Sequence, residues 1–191
     1  MESQNILDIT SREEFRHWLE LKHSLAKECW IEVKRGSTPS SGKLWYLDSV
    51  EEALCFGWID SVNKRISGVA MQRFSPRRKR GGTWSELNKE RCRRLEKLGL
   101  MTEAGRAVLP DMTDKGFVID RRIIERFKKN KLAWDNFCRM PQLYQRVRID
   151  TIQRDTSDMK VFFNRLERLV SQSENGKMFG EWNDYGRLID Y

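Results

Sequence analysis

The chain has 191 residues, of which 39% are hydrophobic, 34% charged and 10% aromatic, enough for one sizeable domain or a domain with an appendage. That aromatic content excludes a disordered chain, and no apolar run approaches the roughly 18 residues of a membrane span. Thirty-six Lys and Arg against 28 Asp and Glu leave a net charge of +8, which favours an anionic partner.

Met1 to Thr10 carries two acids, no base and no apolar h-region, which predicts a cytoplasmic chain without a secretory signal. Ser11 with Glu14 forms a capping box that opens a helix carrying Phe15, Trp18, Leu19 and Lys22 at helical spacing. Trp30 to Lys34 alternates and reads as a strand, and Gly36 to Gly42 reads as a flexible loop. Asp48 is expected to cap a short helix that Gly57 ends. Trp58–Ile66 and Val69–Phe74 are predicted strands of a hairpin that turns at Ser67-Gly68.

Beyond Pro76 the period becomes helical. Thr83 and Glu86 suggest a second capping box, with Trp84, Leu87, Arg91, Leu95 and Leu98 on one stripe ended by Gly99. Thr102 starts a short helix closed by Pro110, and 110–116 has linker composition. Four helices follow, over Asp120–Lys129, Lys131–Cys138, Pro141–Arg154 and Ser157–Ser171, and the last eleven residues read as a loosely docked tail. The fold class is α+β: a small antiparallel sheet packed with helices over residues 1–110, then a helical region over 117–191.

The charge is concentrated. Between Arg73 and Lys97 ten bases face three acids, so +7 of the +8 falls in this stretch. Here a basic, glycine-containing loop runs into a helix start, where free N–H groups and the dipole favour anions. Arg73, Ser75, Arg77 and Arg78, with Ser85, Asn88 and Arg91 at helical spacing beyond them, are the candidate anion-binding residues. Asp60 would orient Arg73 or Arg77, or serve as a general base. His23 would cap the first helix or line the pocket, with Trp58 and Trp84 as aromatic lining. Cys29, Cys55, Cys92 and Cys138 are widely spaced and read as buried thiols, and neither they nor His17 and His23 have metal-ligand spacing. No metal or cofactor is expected.

The runs Glu51 to Asp60, Gln72 to Arg78 and Thr83 to Arg91 resemble, in order, the YdeI/OmpD-associated family, labelled bacteriocin-protection-like. The resemblance spans Phe15 to Val108. It implies an α+β N-terminal region and a helical C-terminal one, and brings no reaction with it. Two functions fit these residues. One is a binding module whose basic cleft takes nucleic acid or a phosphorylated ligand. The other is an enzyme on a small anionic substrate, with Arg77 or Arg78 as clamp, Asp60 as base and Ser85, Asn88 or His23 as polar lining.

Overall fold

A computed structural model describes residues 5–39, 42–78, 82–113, 116–154 and 157–191. Ser40 and Ser41 of the glycine–serine loop, and Lys79, Arg80 and Gly81 of the basic loop, lie outside the described residues. The chain divides into two compact units. The first holds 1–83 and 91–110, and the second holds 84–90 and 111–191.

In the first unit, the Ser11 hydroxyl accepts the Glu14 N–H and the Glu14 carboxylate accepts the N–H of Ser11, closing the predicted capping box on α1 (Arg12–Lys22). The chain then forms β2 (Cys29–Lys34), β3 (Leu44–Trp45), α2 (Tyr46–Cys55), β4 (Trp58–Ile66) and β5 (Val69–Pro76), preceded by β1 (Ile6–Leu7). The hairpin turns at Ser67-Gly68, both with positive φ, as a primed turn requires. The sheet runs β1-β2-β5-β4, with β3 also against β2. β2, β5 and β4 are antiparallel, but β1 and β3 pair with β2 in parallel, so the sheet is mixed rather than antiparallel. Two-residue strands are too short to show alternation, which is why periodicity does not find β1 and β3.

Asp48 does not cap α2. The helix begins two residues earlier, at Tyr46, and Asp48 pairs with Arg12 at 3.2 Å instead. Thr102 does cap its helix, α4 (Glu103–Arg106), accepting the Gly105 N–H. There α4 crosses the end of α2 so closely that a Cβ on Gly105 would lie 2.3 Å from the Cys55 carbonyl oxygen. Gly105→Ala should therefore cost about 1–3 kcal/mol in a denaturant melt, the range of overpacking. A cost below about 0.5 kcal/mol, the size of an ordinary surface change, would show that α4 shifts freely.

The predicted helical stripe after Thr83 becomes α3 (Glu86–Lys97), whose first turns belong to the second unit and the remainder to the first. Ser85, not Thr83, supplies the cap: its hydroxyl accepts the Asn88 N–H at 3.1 Å. The second unit adds α5 (Arg121–Lys128), α6 (Lys131–Arg139), α7 (Gln142–Gln153) and α8 (Met159–Glu174), with Asp120, Asn130 and Asp158 capping α5, α6 and α8. Phe127, Phe137, Tyr144, Phe162 and Leu166 fill its core, and Leu87 packs on them. The tail is docked rather than loose. Trp182 is only 9% exposed and meets Tyr144 edge-on at 5.6 Å, because Trp182, and Phe179 just before the tail, can bury against that ring. Among the described residues, no helix is long and apolar enough to cross a membrane.

Candidate functional site

A polar cluster forms in the first unit where β4 departs from regular pairing. Its register with β5 shifts between Asp60 and Asn63, and the nearly fully buried Gln72 fills the irregularity by donating to the Val62 carbonyl. The Gln72 carbonyl oxygen in turn accepts a hydrogen bond from Arg35 at 2.6 Å. Arg35 also lies over the Tyr46 ring, its guanidinium carbon 3.9 Å from the centroid. The Tyr46 hydroxyl donates to Asp60 Oδ2 at 2.6 Å.

Burial, the Asp60 charge and this hydrogen bond push the Tyr46 pKa up to about 12, while Arg35 and Arg91 pull it the other way. Tyr46 is therefore a proton donor throughout the neutral range, not a base. Arg77, at the end of β5, shows the converse. Burial pulls it down to about 10, against the opposing effects of Cys92 and Asp60. Burial also pushes the Cys92 thiol up to about 12, so at neutral pH Cys92 is uncharged and the Asp60 carboxylate is the counter-charge of the two.

A raised tyrosine pKa has a defined consequence. Its stabilising effect is present below the unfolded value near 10 and is lost as pH rises through the folded value near 12. The ultraviolet ionisation difference between native wild type and Tyr46→Phe should thus titrate about two units above that of the denatured pair. Titration near 10 in the native protein would show that Tyr46 is freely solvated.

The anion-binding residues expected from sequence do not converge as one set. Asp60, Arg77 and Arg91 act on one another or on Tyr46. Arg73 and Ser75 do not join them. In β5, Phe74 is paired with Asp60 and shares its face, so its neighbours Arg73 and Ser75 point to the other. There Arg73 binds Glu28 at 2.6 Å and approaches the Ser61 hydroxyl. Arg78 is exposed.

His23 and Trp58 leave the pocket. The His23 ring nitrogen Nδ1 meets the Leu19 carbonyl at 2.8 Å at the end of α1, and buried Trp58 donates its indole N–H to the His23 carbonyl. Trp84, Ser85 and Asn88 belong to the second unit. In that unit the start of α3 already faces an internal anion: the Glu86 N–H donates to Asp150 Oδ2 at 3.2 Å. A helix-terminus anion site is thus filled by the protein's own carboxylate. Glu86 does not reach back as a capping-box partner but pairs with Lys89.

Sequence reasoning missed a larger electrostatic feature. Glu51 and Glu52, 0% and 1% exposed, lie in α2 among Arg12 and Arg16 of α1 and Arg94 of α3. Burial works against the Arg12 charge, but Glu52, Glu51 and Asp48 more than offset it and hold its pKa above the usual value. The arginine spacing i, i+4 on α1 was the available signal, since it places both guanidinium groups on one helix face.

Nothing in these groups resembles an activated nucleophile. Cys29, Cys55 and Cys92 are buried and all three thiols are shifted upward by burial. Cys138 departs from expectation in being exposed, and it too is shifted upward.

Residues 7–108, more than half of the chain, match the family model described as a domain of unknown function, DUF8412. The chain belongs to this family. The DUF8412 match includes Tyr46, Asp60, Arg77 and Arg91 together with the buried Glu51–Glu52 network, and it stops before the helices that follow Pro110. No curated protein and no solved structure matches the chain.

Proposed function

We propose that the DUF8412 region is a cytoplasmic binding module for an anionic partner, a nucleic acid or a phosphorylated ligand, engaged by Arg77 and Arg78 beside the Tyr46–Asp60 pair. The observation that carries this reading is the placement of Arg77, half-buried just beyond β5 and within the influence of Asp60, with the exposed Arg78 next to it. A phosphate is the ligand that guanidinium groups grip in bidentate fashion. Arg78, exposed next to it, extends the same positive field to solvent. The buried thiols Cys29, Cys55 and Cys92 are shifted upward by burial, which disfavours a thiolate nucleophile in this unit. The resemblance to the YdeI/OmpD-associated family belongs to the same reading, since its three motifs contain Asp60, Arg77 and Arg91. The test is a fluorescence titration of the full chain with a labelled duplex and with a phosphorylated small molecule. Binding of either that is lost in Arg78→Gln supports the module, and no binding of both refutes it.

A further inference from the structure

We infer that the second unit carries a separate site for a compact oxyanion, a phosphate or phosphomonoester, built by Arg148 of α7 with Arg165 and Arg168 of α8. These side chains border a recess of about 170 Å³ completed by Phe179, Ile152 and Leu169. Three cations converge there without an ion pair to any carboxylate among the described residues, whereas other arginines of this unit, such as Arg122, Arg126 and Arg146, have one.

The arrangement is held against its own repulsion. Arg148 and Arg168 lie over the Phe179 ring, their guanidinium carbons 5.2 and 4.5 Å from its centroid. Arg165 donates to the Thr151 carbonyl at 2.9 Å, which fixes its stem at the rim. Arg148 is the most enclosed of the three, packed so tightly that a Cβ on Gly180 would lie 2.6 Å from its Nη1. Its Nε is buried and has no hydrogen-bond partner. A buried donor left unmatched is costly, and charged donors the more so. Burial and the proximity of Arg168 both disfavour the Arg148 charge, with Tyr144 and Glu181 as the opposing groups.

An oxyanion in the recess would accept from the guanidinium groups that line it and offset their repulsion. The volume lies below the roughly 300–1,000 Å³ of sites that enclose drug-sized ligands, so the recess suits a single phosphate group rather than a whole nucleotide. The apolar wall of Ile152, Leu169 and Phe179 would lower the local dielectric and strengthen each charge-assisted contact. These residues lie outside the DUF8412 match, and the inference does not depend on the function proposed for Arg77 and Arg78.

Inorganic phosphate is the probe, titrated calorimetrically into the full chain at constant ionic strength set with chloride. Arg165 and Arg168 are exposed, so Arg165→Gln/Arg168→Gln leaves the fold intact, which a thermal melt verifies. Phosphate affinity should fall at least about tenfold in that variant, the loss of one or two charge-assisted hydrogen bonds, and should be unchanged in Arg78→Gln. Failure of wild type to bind phosphate would overturn the site. So would binding that survives Arg165→Gln/Arg168→Gln, and loss in Arg78→Gln alone would assign the phosphate to the first unit instead.

Discussion

Glu51→Gln should lower the stability of the first unit by about 3–5 kcal/mol, a large part of the roughly 5–15 kcal/mol that holds a typical domain folded. All four carboxylate oxygens of the buried pair are engaged. Arg94 and Arg12 reach the two oxygens of Glu51 at 2.9 and 2.8 Å, and Arg12 and Arg16 those of Glu52 at 2.6 and 2.9 Å. The amide variant removes a negative charge, on a side chain that is 0% exposed, from beside Arg12 and Arg94. It also turns an NH₂ group toward a guanidinium that needs an acceptor. In a chain of this length the loss corresponds to a fall of about 6–20 °C in melting temperature. A fall of under about 2 °C would mean that water or rearranged side chains compensate the charge. Removing a charge pair together, as in Glu51→Met/Arg94→Met, should cost less than Glu51→Gln, because the penalty lies in the unmatched partner rather than in the lost attraction.

That network shows where the sequence stops being legible. Glu51 and Glu52 lie next to each other on a short helix, where charged residues ordinarily mark the solvent face. Their burial depends on Arg12, nearly forty residues upstream, and on Arg94, over forty downstream, and neither distance has a periodic signature. Local features were readable because their causes are local. The Ser11–Glu14 box, the Ser67-Gly68 turn and the Thr102 cap each form between residues a few positions apart. The mixed sheet was not readable, because pairing of β1 with β2 is set by tertiary packing and not by alternation within two residues.

The candidate site was legible in composition and not in geometry. The run from Arg73 to Arg78 correctly marks dense positive charge, but a strand sends successive side chains to opposite faces. Arg73 therefore meets Glu28, whereas Arg77, beyond the strand end, comes under the influence of Asp60. Asp60 was identified through its motif. Tyr46 and Arg35 were not, because a tyrosine at a helix start and an arginine after a strand carry no pattern until the fold stacks one on the other.

Replacing Arg77 and Arg78 should remove anion binding without removing the fold, and the two readouts together separate a binding role from a structural one. If the partner is a nucleic acid and about four phosphates are neutralised, log affinity against log salt should have a slope of roughly −3 to −4. Arg77→Ala/Arg78→Ala should flatten it by up to about two units. If the partner is a small phosphorylated ligand, the same variant should abolish binding outright. The thermal melt carries the sharper distinction. Arg78 is exposed and its loss should leave stability nearly unchanged. Arg77 is half-buried in surroundings that disfavour its charge, so Arg77→Met, which keeps the packing of the stem and removes that charge, should melt no lower than wild type. Stability kept together with binding lost is the expected mark of a residue retained for its ligand. A marked fall in melting temperature in Arg77→Met would instead show that Asp60 and its neighbours need the guanidinium as an internal counter-charge. Undiminished binding in the double variant would remove Arg77 and Arg78 from the site altogether.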